Sequence, residues 1–280
     1  MKKKMSVSST LIAIARIIII AMLMFLVLFP IVWMFAGAVK LEKEILQYPP
    51  TVFGTEFTWK SFQRVFKTIP MAIYLKNTVI FAGLSTLGAI LFDSMSGYAF
   101  ARLQFKGKNV LFIIVLLSMM VPFQVMMIPL FLESSMLGLL NTYVGLILPK
   151  LTTAFGIFMM RSYFAALPRE LEEAARVDGC SEIRIFFKIM LPLVKPGILT
   201  LAIFHLMNNW NDLLYPLMMT SDSKMRTLSA GLALFVGDHA SLYYGAQLAG
   251  AVIAVLPLLI LYIFFLKYFV NSAVSSGIKG

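Results

Sequence analysis

The sequence predicts an all-α integral membrane protein with six transmembrane helices and both termini in the cytoplasm. Three observations predict it. The 280 residues are 60% hydrophobic and only 13% charged, where a soluble domain carries about 25% charged residues. Mean hydropathy is +0.88. The apolar residues fall in runs of the length that crosses a bilayer, about 20 residues each.

The first run, Ile17 to Val39, carries no charge. The second, Asn77 to Ala101, contains Asp93, and the third, Asn109 to Leu132, is uncharged. The fourth, roughly Thr142 to Met160, contains Lys150, and the fifth, about Gly197 to Met219, contains Asp212. The sixth, roughly Ala246 to Leu266, is uncharged. The first run begins after Lys2, Lys3, Lys4 and Arg16 and ends near Ala36-Gly37-Ala38, which resembles a cleavage site. Its apolar core exceeds the roughly 7–15 residues of a signal peptide, so it is read as a retained helix.

Orientation follows from Lys and Arg in short flanks. The N-terminus, the loop with Arg102, Lys106 and Lys108, the loop from Arg161 to Lys195, and the tail with Lys267 and Lys279 fall on one side of a six-span chain. Cytoplasmic segments are therefore expected at about 161–196 and 267–280, with external loops at about 40–76 and 220–245, in a single membrane domain covering 1–280. The segment from Lys40 to Lys76 opposes this, because it holds six Lys/Arg against three Glu. It is long enough to translocate as a small amphipathic unit.

The formal charge of +11 does not point to nucleic acid, because no basic stripe interleaved with aromatics stands apart from the spans. Basic flanks facing anionic lipid account for it. Cys180 is the single cysteine, which excludes an intrachain disulfide and a Cys-rich metal cluster. His205 and His239 belong to no HExxH pattern, so no metal site is expected. No GxxxxGK[ST] phosphate loop is present; if ATP drives this protein, another chain binds it. A GxSxG or paired-carboxylate motif is also missing, which argues against an intramembrane enzyme.

The most polar segment is EEAARVDGCSEIRIFFKIMLPLVKP, Glu172 to Pro196. It reads as a helix–turn–helix lying against the membrane. Glu172 and Arg176 are four apart, the spacing of a helical ion pair. Asp178-Gly179 is a turn signal. A second helix from about Ser181 carries Ile183, Phe186, Phe187 and Met190 on one face, suited to the interface, and Pro192 and Pro196 stop it.

This segment resembles a signature of the permease subunits of binding-protein-dependent ABC importers: EAA, three residues, G, nine residues, I-x-LP. Here it is Glu173-Ala174-Ala175, then Gly179, then Ile189-Met190-Leu191-Pro192, with every interval matching. The resemblance covers nearly the whole chain. It is strongest to the carbohydrate branch, and within it to subunits similar to the shorter maltose permease. NTVIFAGLSTLGAILFDSMSGYAFARLQFKGK (77–108), NTYVGLILPKLTTAFGIFMMRSYFAALPRELEEAARVDG (141–179) and NNWNDLLYPL (208–217) carry it, with the ending Gly277-Ile278-Lys279-Gly280. Departures are Cys180 for a usual Ala, Leu266-Lys267 for Gln-Arg, a tail poorer in glycine, and Lys150 where an aromatic is common.

The resemblance implies that the Glu172–Pro196 loop is a coupling helix docked in a cleft of an ATPase subunit. Glu173 would pair with a basic residue there, Ala174 and Ala175 would permit close approach, and Asp178 and Gly179 would set the turn before Leu191 and Pro192. Gly277 to Gly280 would reach between two ATPase subunits. ATP and Mg would be held by those partners and no cofactor by this chain. Further partners would be a second permease subunit in a heterodimer and an extracytoplasmic substrate-binding protein probed by the 220–244 loop. The setting would be a prokaryotic inner membrane.

Polar residues inside spans are costly and mark function. Asn208, Asn209, Trp210, Asn211, Asp212 and Lys150 are the candidates for a translocation path. The NNWND cluster either stacks on a sugar ring and bonds its hydroxyls or bonds between helices. Asp93, nearer the cytoplasmic end of its span, is read as structural. Two alternatives stand. The same architecture could import glycerol-3-phosphate or another polar solute, with Lys150 as the one candidate clamp. A stand-alone ion-driven carrier would rest on Asp93 and Asp212 alone. Tyr48, Phe53, Phe57, Trp59 and Phe62, in the 40–70 loop, read either as an interfacial aromatic belt or as a surface packed beside the other external loop.

Overall fold

The computed structural model describes residues 7–239 and 243–277. Every regular element among them is helical. In chain order these are α1 (Val7–Ala38), α2 (Glu42–Ile45), α3 (Lys60–Thr68), α4 (Met71–Arg102), α5 (Lys108–Ser118), α6 (Phe123–Met136) and α7 (Tyr143–Ile147). They continue as α8 (Ala154–Ala165), α9 (Glu170–Val177), α10 (Glu182–Ile185), α11 (Leu191–Leu193), α12 (Lys195–Asn211), α13 (Leu214–Met219), α14 (Leu228–His239) and α15 (Tyr244–Gly277). A 3₁₀ turn, Leu148–Lys150, follows α7, and a π turn, Phe186–Met190, joins α10 to α11.

Among the described residues three helices are long and apolar enough to cross a membrane, within α1, α4 and α15, and up to six if each of three bent pairs counts as one span. The sequence reads the third, fourth and fifth spans as single runs; the backbone breaks all three. α5 and α6 meet at 99° across Met119–Pro122. Pro122 lacks an amide N–H and excludes the preceding residue from helical space, so the ladder ends there. Tyr143–Lys150 and α8 meet at 44°, where Thr153 leaves the helical region and its hydroxyl caps α8 by accepting from Gly156 N. Glu182–Leu193 and α12 meet at 81°, at the Pro192–Pro196 stop that the sequence places before the fifth span; that span itself breaks at Asp212–Leu213, where α12 ends and α13 begins, short of the expected Met219.

The described chain packs as two compact units. One comprises residues up to Ile69 with Phe235–Leu256. In it α1 presents an almost wholly exposed apolar surface from Ile12 to Phe29, as a membrane span does. The loop beyond α1 is tied by Lys40 Nζ donating to Thr51 O (2.6 Å) and Thr55 N donating to Glu44 Oε1 (3.3 Å).

The other unit comprises Pro70–Leu234 with the chain from Pro257 onward. Its frame is α4 against α8 and α12. At Gly97 the α4 and α8 backbones approach so closely that a Cβ would lie 2.7 Å from both Arg161 N and Met160 Cβ. Tyr98, Met160, Phe164, Ala175, Ile185, Phe186, Met190, Val194 and Leu201 form one buried cluster. The polar segment is thereby anchored to α4, α8 and α12.

The segment after α13 is more ordered than a polar loop. Asn77 Nδ2 donates to the carbonyls of Lys224 and Arg226 (2.9 Å each), and Asn141 Oδ1 accepts from Ser221 N and Asp222 N (2.8 Å each). α14 follows.

Candidate functional site

The three broken spans converge on one cavity of about 750 Å³. Ser118, Met119 and Gln124 line it from the first break, Lys150, Thr152 and Thr153 from the second, and Asn208, Asn209, Asn211 and Asp212 from the end of α12. A broken helix leaves backbone groups and capping side chains unspent, and such backbone is tolerated at membrane depth only where it is buried or lines a cavity.

Lys150 and Asp212 bridge two of the breaks. Lys150 Nζ donates to Asp212 Oδ2 at 2.8 Å, and each side chain is 16% exposed. The ammonium also lies 3.8 Å from the centroid of Phe123 and 5.0 Å from that of Tyr215, which adds cation–π attraction. The other Asp212 oxygen accepts from Tyr215 N (3.3 Å) and so caps the start of α13. One carboxylate thus ends α12, opens α13 and neutralises the cation of the neighbouring break.

Asp93 is fully buried. Its carboxylate accepts from Thr152 Oγ1 (2.6 Å), Thr153 N (2.9 Å) and Thr153 Oγ1 (3.2 Å), and His205 Nε2 lies 3.3 Å away. It fastens the second break to α4 and α12, in keeping with a structural reading.

Five of the six candidate path residues line the cavity. Trp210 does not: it is 6% exposed, outside the lining, and its carbonyl accepts from Ser229 Oγ. The helical period explains this, since Trp210 sits about 100° around α12 from each flanking asparagine. The Asn208 and Asn211 amides donate to the carbonyls of Phe204 and Met207 in their own helix, not between helices. Asn209 is buried, with Nδ2 unpartnered. Ser118, Gln124, Thr152 and Thr153 join the five candidates in the lining without being marked by charge or cluster in the sequence. Pro122 and the Thr152-Thr153 pair after Pro149 were the signals of interrupted helix.

The polar segment forms a second candidate site. α9 is favoured by acidic residues in its first turn and Arg176 in its last, matching the helix dipole. Gly179 closes it at φ 76°, a conformation that glycine adopts without strain. Ser181 Oγ accepts from Arg184 N and caps α10. Glu173, Ala174, Asp178 and Gly179 are exposed, Leu191 is half-buried and Pro192 exposed. Ala175 is buried in the cluster, so its small side chain serves internal packing and only Ala174 is open to a partner.

Two expectations for this segment are corrected. Glu172 and Arg176 do not pair within the helix. Glu172 lies against Arg102 (3.2 Å) and Arg176 against Glu182 (2.7 Å); a buried guanidinium at the end of α4 requires the nearest carboxylate. The buried face of the second helix is Ile185, Phe186 and Met190, while Ile183 and Phe187 are exposed. The π turn at Phe186–Met190 widens the helix by one residue, which rotates the face away from the regular spacing. Of the tail residues, Gly277 ends α15; Ile278, Lys279 and Gly280 lie outside the described residues.

Broken apolar helices around a cavity of mixed lining, with an anchored polar hairpin in the same unit, define a polytopic permease-type membrane protein. Residues 89–274 match the family described as binding-protein-dependent transport system inner membrane component, and the chain belongs to that family. It is 36% identical over 270 residues to the arabinooligosaccharides transport system permease protein AraQ of Bacillus subtilis, covering 95% of this chain and 96% of that one. It is 34% identical over 269 residues to the trehalose/maltose transport system permease protein MalG of Thermococcus litoralis, covering 94% and 96%. In structure it matches a chain of a bacterial ABC transporter involved in the import of the acidic polysaccharide alginate, with TM-score 0.82 and 23% identity, covering 96% of this chain and all of that one. That likeness bears on the fold alone.

Proposed function

We propose that this chain is one of two membrane subunits of an ATP-driven sugar importer in a prokaryotic inner membrane. It contributes half of the translocation path and couples to the ATPase through the α9 turn. The observation that carries the reading is the convergence of three helix breaks, at Met119–Pro122, Leu151–Thr153 and Asp212–Leu213, on one cavity to which each contributes polar side chains or lies beside them, in a chain whose relatives are named for sugar transport.

Mechanistically, the carbohydrate passes along Ser118, Gln124, Thr152, Asn208 and Asn211, whose hydroxyl and amide groups exchange hydrogen bonds with its hydroxyls. Phe155 and Phe204, with centroids 4.7 Å apart, offer an apolar wall to the faces of the rings. The breaks are the points at which the cavity opens and closes, because a helix already interrupted bends there without losing further backbone bonds. The surface of Glu173, Ala174, Val177 and Gly179 is the docking face for a partner ATPase that binds ATP and Mg. Both termini are cytoplasmic, and an extracytoplasmic binding protein delivers substrate on the opposite side. A phosphate substrate is disfavoured, since the charge of Lys150 is already matched by Asp212.

The test is uptake of radiolabelled arabinotriose and maltotriose by the reconstituted importer with its binding protein. Cys180→Ser gives a cysteine-free chain, into which Thr152→Cys places one thiol in the cavity. Labelling that thiol with a bulky methanethiosulfonate should cut uptake by an order of magnitude; unchanged uptake would remove the cavity from the path. Glu173→Ala should assemble but lose substrate-stimulated ATPase activity and uptake together. ATP-independent uptake would return the chain to the ion-driven reading.

A further inference from the structure

The excess of cations in the 40–76 segment, anomalous for an external loop, has a structural destination. Four of its six Lys/Arg residues, Lys40, Lys43, Lys60 and Arg64, line one pocket of about 350 Å³, together with Glu42, Thr58, Ser61 and Ala246. The walls are held from within. Lys40 Nζ donates to Thr51 O and Thr51 Oγ1, Thr58 N donates to Val39 O (2.8 Å), and the Glu42 carboxylate accepts from Gly245 N (3.2 Å). Arg64 stacks on the Tyr243 ring at 3.8 Å. The exposed cations Lys43, Lys60 and Arg64 have no carboxylate within ion-pair distance among the described residues. Four cations against one carboxylate leave the lining formally at +3.

Its position says what such a pocket meets. Lys40 stands two residues beyond the end of α1, and Ala246 two residues beyond the start of α15. Both helices carry apolar spans, so the pocket lies where two spans leave the hydrocarbon, at the depth of the phosphates. Tyr48, Phe53, Phe57, Trp59 and Phe66 on the same loop are all more than half exposed, the arrangement of an interfacial aromatic belt.

The geometry points to a binding site for the phosphodiester of an anionic phospholipid. The phosphate sits among Lys43, Lys60 and Arg64, the headgroup hydroxyls meet Thr58 and Glu42, and the acyl chains follow the exposed apolar surface of α1. A zwitterionic lipid brings its own cation into a pocket that is already positive, so an anionic headgroup is selected. The four pocket cations then mark a lipid contact and not the cytoplasmic side.

Native mass spectrometry of the assembled importer, taken from nanodiscs of equimolar phosphatidylglycerol and phosphatidylcholine, tests this. At roughly 1 kcal/mol per cation near an anionic surface, the wild type should retain phosphatidylglycerol over phosphatidylcholine by at least about tenfold. Lys43→Gln, an exposed change that leaves the wall bonds intact, should reduce the preference by about fivefold. Lys43→Gln/Arg64→Gln should abolish it. Lys67→Gln/Lys76→Gln removes the same charge from the same segment outside the pocket and should leave the preference in place. Equal losses in the two double variants would mean diffuse attraction and overturn the site. A pocket variant that keeps its lipid preference but loses affinity for the binding protein would overturn it too, and would reassign the surface to protein docking.

Discussion

Nε of Arg102 lies 3.2 Å from Oε1 of Glu172, and both side chains are 4% exposed. The two atoms attract by charge without hydrogen-bond geometry, since neither has a hydrogen-bond partner. The guanidinium spends its other edge on the carbonyls of Leu167 (2.6 Å) and Pro168 (3.1 Å). One residue at the end of α4 therefore grips both the approach to α9 and its first turn. Removing one member of a buried pair leaves an uncompensated charge, at about 3–5 kcal/mol. Glu172→Leu should lower the thermal midpoint of the assembled importer by several degrees. Arg102→Met/Glu172→Leu should recover much of the loss. A double variant as unstable as the single would show that the carbonyl contacts, and not the ion pair, hold the loop.

Asp93 accepts from Thr152 Oγ1, Thr153 N and Thr153 Oγ1. Asp93→Asn keeps the shape but replaces one acceptor oxygen and the negative charge by an NH₂, so the buried donors around it lose an acceptor. The expected cost is about 1–3 kcal/mol, with faster hydrogen exchange in 150–156, where the second break is fastened. Unchanged exchange there would mean that Thr153 holds the break without Asp93.

The spans and the polar hairpin are legible in sequence because each is a local pattern: apolar runs, and a spaced EAA-to-LP motif. The breaks are less visible, because a hydropathy window averages over Met119–Pro122 or Leu151–Thr153 without registering a turn. The choice of partner is not legible at all. Glu172 has a suitable cation four residues away, yet it pairs with one 70 residues earlier, because the α4 end is buried and the Arg176 position is not. Lys150 and Asp212 were each marked as costly intramembrane charges; that each is the other's solution follows only from the fold.

Glu44 offers a pH-dependent contact outside the spans. The hydrogen bond from the Thr55 hydroxyl holds its carboxyl below the usual range, assisted by the Thr55 amide and by Lys40 and Lys43. A depressed folded-state value adds stability that is complete above the unfolded value, about 4.3, and is lost as pH falls through the folded one. The wild type should therefore lose more of its thermal midpoint between pH 6 and pH 3.5 than Glu44→Gln. Parallel pH profiles for the two proteins would exclude the contact as a titrating element.

The Lys150–Asp212 pair separates two ways in which a cavity charge can matter. If Lys150 serves as an anion clamp, every variant lacking it fails. If it serves to join the second break to the end of α12, what matters is that the two charges cancel. Single changes, Lys150→Met or Asp212→Leu, strand one partly buried charge and should cut arabinotriose or maltotriose uptake by tenfold or more, consistent with about 1.5–3 kcal/mol for a lost charged hydrogen bond. The double change strands neither. It loses the Asp212 cap on α13, at about 1 kcal/mol, but keeps the apolar contacts of Phe123 and Tyr215 around residue 150. Uptake in the double variant should exceed that of either single variant by at least severalfold. The measurement is initial uptake rate at saturating binding protein, with the assembled complex quantified in the same vesicles. A double variant no better than Lys150→Met would give the cation a direct role toward substrate and reopen the case for an anionic solute.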